Sequence, residues 1–184
     1  AQTTGAIKLA NTSVALEGAA DDLESVLSQL KGYKGAVTVT SALDDLEQLI
    51  AINNGTTGKI TLEGTPAAAL NGEAADILAA FKGIKSYEGA ITVTGTDYKL
   101  ADLKAINAIT EGAFTVGSQI ALTGNAKDLA AALNGVVGGY NEKVTVTGSY
   151  TVADLKTINA AVGPNDLVLA NKKVALTGTA ANIK

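Results

Sequence analysis

Apolar and polar residues alternate with a period of two in seven short segments of the chain. Each reads apolar, small or Thr, apolar, polar, and then usually Gly: Val14-Ala15-Leu16-Glu17-Gly18, Val37-Thr38-Val39-Thr40-Ser41, Ile60-Thr61-Leu62-Glu63-Gly64, Ile91-Thr92-Val93-Thr94-Gly95, Ile120-Ala121-Leu122-Thr123-Gly124, Val144-Thr145-Val146-Thr147-Gly148 and Val174-Ala175-Leu176-Thr177-Gly178. Alternation in β-branched sequence marks a half-buried strand, so Val, Ile and Leu are expected to face a core while Thr, Ala and Glu face outward. The Gly or Ser then ends the strand. Successive copies start 23 to 31 residues apart, which leaves room for a loop, a short helix and a second loop.

Between the strands the period changes to that of a helix. Leu23, Val26, Leu27 and Leu30 fall at i, i+3, i+4 and i+7, on one predicted helix face. Similar segments run from Ile77 to Ile84 and from Leu129 to Val136. A second kind runs from Leu100 to Ala108 and from Val152 to Ala160. The two kinds alternate, so the repeat is a pair of β/α units. Ser41 with Asp44, Asn125 with Asp128 and Thr151 with Asp154 have capping-box spacing. A parallel strand reached through a helical crossover is right-handed, and repeating the step puts all helices on one face. The expected fold is α/β: a right-handed two-layer β/α solenoid with a parallel sheet of about seven short strands and helices on one face. Further strand candidates at Ile7 to Ala10, Phe114 to Val116 and Leu167 to Ala170 are expected to make a corner or a short second sheet. Residues 1–184 read as a single repeat array. Both ends interrupt the pattern mid-repeat, since Leu9-Ala10-Asn11 before Val14 mirrors Leu169-Ala170-Asn171 before Val174. The chain therefore reads as a piece of a longer array.

Composition removes most chemistry. The chain has no Cys and no His, hence no thiolate nucleophile, no imidazole base and none of the usual transition-metal ligand sets. All fourteen basic residues are Lys, and the net charge is −4. Nucleic acid is not an expected partner without clustered cations or Arg. No apolar run approaches the ~20 residues that span a bilayer, so membrane insertion is not expected. Serine and threonine hydroxyls are plentiful but have no base to activate them, and the chain is not expected to be an enzyme.

Four recurrent features remain. Asp21, Asp22, Asp44, Asp45, Asp76, Asp102, Asp128 and Asp154 recur near helix starts. A negative charge there caps amides and meets the helix dipole, which accounts for the row without a ligand; calcium is the cofactor it would otherwise suggest, and no other cofactor is expected. Asn53, Asn107 and Asn159 occupy matching places near helix ends, as C-caps or loop-stapling amides. Tyr33, Tyr87 and Tyr140 each lie four residues before a strand. Stacking along the array is the expected role, and a sugar-binding aromatic strip the functional alternative. The outward strand positions form the remaining surface: Thr38, Thr40, Thr61, Thr92, Thr94, Thr123, Thr145, Thr147 and Thr177. Regular Thr ladders on flat solenoid faces can order ice or meet polysaccharide, although Thr also simply favours exposed strand positions.

In the segments Tyr150-Thr151-Val152-Ala153-Asp154-Leu155-Lys156-Thr157-Ile158-Asn159-Ala160 and Lys143-Val144-Thr145-Val146-Thr147-Gly148, the chain resembles repeats of very large secreted surface proteins of bacteria, especially cyanobacteria. The resemblance implies an extracellular or cell-surface location and a structural or adhesive role, with a surface protein, a polysaccharide or neighbouring repeats as partners. It carries over no functional residues. The alternative is a ligand-binding solenoid that uses the Thr face for ice or polysaccharide, or the Asp row for calcium.

Overall fold

Three residues of extended chain are enough to bury two alternate side chains, and the alternating segments fold as strands of this minimal length. The computed structural model describes residues 8–63, 67–163, 166–176 and 178. Its first unit is β1 (Leu16–Gly18), α1 (Ala20–Gln29), β2 (Val37–Val39), α2 (Leu46–Gly55) and β3 (Ile60–Leu62). The second is β4 (Leu70–Gly72), α3 (Ala74–Ala80), β5 (Ile91–Val93), α4 (Leu100–Ile109) and β6 (Phe114–Val116). The third is β7 (Leu122–Asn125), α5 (Ala126–Leu133), β8 (Val144–Thr147), α6 (Val152–Ala161) and β9 (Leu167–Leu169). A βαβαβ unit thus occurs three times, its first strands beginning at Leu16, Leu70 and Leu122.

The described chain is α/β, with six helices and three parallel three-stranded sheets, ordered β1-β2-β3, β4-β5-β6 and β7-β8-β9. The expected single sheet of seven strands is not what forms. Within a unit each pair of strands is joined through a helix, as parallel pairing requires. Between units the chain from Leu62 to Leu70, or from Val116 to Leu122, is too short for such a crossover. The next strand therefore starts a new sheet. Helices are continuous where sheets are not, since α1 to α6 pack side by side in chain order.

Several expectations change with this topology. Ile60–Leu62 is the third strand of its unit, equivalent to Phe114–Val116 and Leu167–Leu169, so these last two complete sheets and make no corner. Leu70–Gly72 is a strand that alternation does not reveal, because Asn71 and Gly72 carry no β-branched side chain. Residues 8–10 form no strand, and Ile7 lies outside the described residues. The segment at 174–178 likewise forms no strand among its described residues, and Thr177 lies outside them. First strands also begin two residues later than the pattern suggests. Leu16 and Leu122, not Val14 and Ile120, stand opposite Val37 and Val144.

Every middle strand is wholly buried on its inner side, at Val37 and Val39, Ile91 and Val93, and Val144 and Val146. Helix residues Leu23, Leu27, Leu49, Ile52, Ile77, Leu103, Ile106, Leu129 and Ile158 cover them in one continuous core. Val26, expected on this face, is 36% exposed, whereas its counterparts Ala80 and Ala132 are fully buried beneath the preceding unit. Units meet through glycine. A Cβ on Gly72 would lie 2.5 Å from Leu46 Cδ2, and one on Gly124 would lie 2.3 Å from Leu100 Cδ2. These leucines open α2 and α4, so the second helix of one unit rests its first residue on the first strand of the next. At Gly18 the nearest atom to such a Cβ is 3.7 Å away. Gly72→Val is therefore expected to cost about 2–3 kcal/mol by overpacking against buried Leu46, while Gly18→Val leaves stability within about 0.5 kcal/mol. Urea unfolding of the two variants at low protein concentration measures the difference.

Candidate functional site

The outward strand positions form rows across each sheet. Thr38 lies between Glu17 and Thr61, Thr92 between Asn71 and Thr115, and Thr145 between Thr123 and Val168. Thr147 stands opposite Asn125. Thr40 and Thr94 lie just past their strands, where their N–H groups donate to the carbonyls of Gly18 and Gly72 at 2.9 and 2.8 Å. Thr40, Thr94 and Thr123 are exposed, and Thr38, Thr61, Thr92, Thr145 and Thr147 are half-buried. Thr177 lies outside the described residues. The register makes Thr38 and Thr61, Thr92 and Thr115, and Thr123 and Thr145 cross-strand neighbours. Thr115 was not among the expected positions, because its strand Phe114–Val116 reads as a separate corner in the sequence. Its own alternation is the signal that marks it.

The tyrosines form no exposed strip and no stack along the array. Tyr33, Tyr87 and Tyr140 are buried, and their hydroxyls donate to the carbonyls of Val14, Ala68 and Ile120, at 2.8 Å for Tyr87 and 2.6 Å for Tyr140. Each acceptor lies two residues before the first strand of its unit. This staple holds the acceptor outside the ladder and explains why β1 and β7 begin two residues late. Tyr98 and Tyr150 make the matching contact in the second half of their units, to the carbonyls of Ser118 and Asn171, both at 2.9 Å. Tyr98 also accepts from the Ile120 N–H at 3.1 Å. Phe81 and Tyr87 meet edge to face with centroids 5.1 Å apart. Burial pushes the Tyr87 hydroxyl up to about 12 and raises those of Tyr33 and Tyr140 as well.

The asparagines staple helices to each other. Asn53 on α2 donates to the carbonyls of Ala80 and Lys82 at the end of α3, at 2.7 and 2.9 Å. Asn107 on α4 donates to Ala131, Ala132 and Asn134 around the end of α5, at 2.9 to 3.1 Å. Each amide satisfies carbonyls that a helix leaves without an internal partner. Asn159 occupies the same place on α6 and is exposed.

The aspartates are divided among local tasks. Asp45 is the N-cap of α2, accepting from the Gln48 N–H at 2.9 Å. Asn125 and Thr151 cap α5 and α6 by accepting from the Asp128 and Asp154 N–H groups. The Lys99 N–H donates to the Asp102 carboxylate at 2.8 Å at the start of α4. Ser41, expected to cap α2, instead accepts from the Ala20 N–H at the start of α1 at 2.9 Å. Asp21 accepts from Gln48 Nε2 at 2.6 Å, tying α1 to α2. Asp128 pairs with Lys104 of α4. Hydrogen bonds from Lys104 and Asn125 hold its carboxyl below the ordinary range. Among the described residues no group of three or more acidic side chains gathers where a metal ion could be held.

Two recesses lie on this surface. A groove of about 580 Å³ between α4 and α5 is lined by Leu100, Lys104, Ala108, Gly124 and Asp128, with the ion pair on its wall. A second recess, about 420 Å³, lies between β3 and the loop after α3, lined by Lys59, Thr61, Ile84, Lys85 and Ser86. Among the described residues no helix is long and apolar enough to cross a membrane. No protein-family model, curated protein or solved structure matches the chain.

Two outcomes follow from the staples. Asn107→Ala is expected to lower stability by about 1–3 kcal/mol, because the end of α5 loses its partners; Asn159→Ala is expected to change it by less than about 0.5 kcal/mol. Urea unfolding of both variants distinguishes them. Above pH 10 the unfolded chain loses tyrosine protons that the folded chain still holds, so the unfolded state binds fewer protons and stability falls with pH. The stabilisation is complete below pH 10 and is lost as the pH rises through about 12, the value for Tyr87. Tyr87→Phe should flatten that decline in a pH series of unfolding curves.

Proposed function

We propose that the chain is a structural or adhesive repeat module of a secreted or cell-surface protein, with units that continue as a right-handed β/α solenoid. One recurring junction supports this reading. Leu46 on Gly72 with Asn53 on Ala80, and Leu100 on Gly124 with Asn107 on Ala132, spend the same residues at equivalent places. Such a junction builds length, and stability in a repeat array is the sum of units and their interfaces. A partner at a cell surface, protein or polysaccharide, meets the faces left outside. Immunogold labelling of intact producing cells tests the location: label on the outer surface is expected, and label found only after permeabilisation would sink the proposal.

The cross-strand Thr pairs favour a second reading, in which the outer sheet face binds polysaccharide or ice. Glu17, Asn71 and Val168 interrupt the rows, so each sheet offers two adjacent Thr in a row of three. Replacing Thr38, Thr92 and Thr145 together by Lys should abolish retention on an immobilised polysaccharide or any thermal hysteresis, with the fold unchanged by circular dichroism. Equal retention and hysteresis by the triple variant would remove this reading.

A further inference from the structure

We propose that Asn134–Gly135 is a self-modification site, where the folded chain deamidates and the isoaspartate formed loosens the junction between the second and third units. Asparagine followed by glycine occurs three times, at Asn54–Gly55, Asn71–Gly72 and Asn134–Gly135. A glycine has no Cβ to keep its nitrogen from the preceding side chain. That nitrogen attacks the Asn Cγ, the Cγ–Nδ2 bond breaks, and ammonia leaves with the amide proton, closing a succinimide ring. Water then opens the ring. Cleaving the new Cγ–N bond gives aspartate, whereas cleaving the original peptide bond gives isoaspartate, in which the chain runs through Cβ and Cγ. Water is the only co-reactant.

Ring closure needs a glycine N–H that is free and a peptide that can rotate. All three asparagines are exposed, so exposure does not separate them. Asn54 and Gly55 are the last two residues of α2, and a Cβ on Gly55 would stand 2.6 Å from Leu27 Cβ. Rotation there unwinds a helix end packed against α1. Asn71 and Gly72 lie in β4, where the Leu70 N–H donates to Ala90 at 2.9 Å and the Thr94 N–H to Gly72 at 2.8 Å, so ladder alternation commits the Gly72 N–H to β5. Asn134–Gly135 is under neither restraint. It forms the turn after α5, with Gly135 exposed at φ +71° and nothing within 4 Å of its Cβ position. Among the described residues the Gly135 N–H donates to no backbone carbonyl. A recess of about 370 Å³ between this turn and α6 has room for the water of the second step.

The same turn is Lys31–Gly32 in the first unit and Lys82–Gly83 in the second, with φ of +68° and +83° at the glycines. Lysine has no side-chain carbonyl to attack, so of these three turns the third alone carries the chemistry. The turn also leads directly into a contact between units. The Val136 N–H closes it on the Leu133 carbonyl at 3.2 Å, and the Val137 N–H donates to Phe114 of β6 at 2.8 Å. Isoaspartate adds a methylene to the chain between Leu133 and Val136, which displaces both bonds.

Incubating the full chain at mildly alkaline pH, in buffer and in unfolding urea, followed by trypsin and mass spectrometry, reads all three sites. Lys34, Lys59, Lys82, Lys127 and Lys143 place them in separate peptides. In buffer Asn134 should convert roughly tenfold or more faster than Asn54 and Asn71, because the folded structure protects those two. In urea the three rates should converge. Asn134→Lys copies the residue of the other two turns and keeps the carbonyl that accepts from Asn107. Its urea midpoint should hold through the incubation, while the parent's falls in step with the isoaspartate fraction. Equal rates at the three sites in buffer, a lead by Asn54 or Asn71, or a parent midpoint that stays constant once isoaspartate has formed at Asn134 would overturn the proposal.

Discussion

The close approach of a leucine to a glycine backbone is the constraint on which the array depends. Leu46 Cδ2 over Gly72 and Leu100 Cδ2 over Gly124 lie 2.5 and 2.3 Å from where a Cβ would stand, so the helix of one unit sits directly against the first strand of the next. That contact fixes how consecutive units are placed, because no strand pairing joins β3 to β4 or β6 to β7. Hydrogen bonds then lock what the packing places. Asn53 and Asn107 fasten the following helix at its carboxyl end, and Gln48 with Asp21 ties the two helices of the first unit. A close contact and a polar staple at both described junctions between units make the stability of each unit depend on its neighbours.

The same economy explains the buried polar groups. Five tyrosines contribute ring area to the interior, and each hydroxyl finds a backbone carbonyl about twenty residues away. A buried hydroxyl without a partner would be costly, and among the described residues no buried side-chain nitrogen or oxygen lacks one. Aspartate, asparagine and tyrosine, the residue types that most resembled candidate chemistry, are spent at these positions on caps and staples. The outward faces of the sheets are the surfaces where the chain has side chains to offer a partner.

Much of this was legible in the chain. Period-two alternation locates β2, β5 and β8, and apolar spacing with caps locates the helices, since both signals are local and need no partner. The role of Asn107 was close to legible as a loop-stapling amide. The carbonyls it serves lie 24 to 27 residues away, a distance over which residue order carries no signal. Leu70–Gly72 carries no alternation signal because its burial rests on one leucine. Val26 reads as a core residue in the sequence because helix periodicity reports a face, not whether another unit covers that face.

The sequence by itself determined the α/β class, the parallel strand-helix-strand step, the lack of thiol and imidazole side chains, and the recurrence of aspartates near helix starts. These follow from side-chain period, residue type and short-range hydrogen bonding. The tertiary structure alone decided that the nine described strands divide into three sheets, because connection length between units forbids a crossover. It alone decided that tyrosines point inward to distant carbonyls, and that Gly72 and Gly124 each lie beneath a helix. Those depend on which segments meet in space, and a glycine in the sequence does not say whether it serves a turn or a close approach.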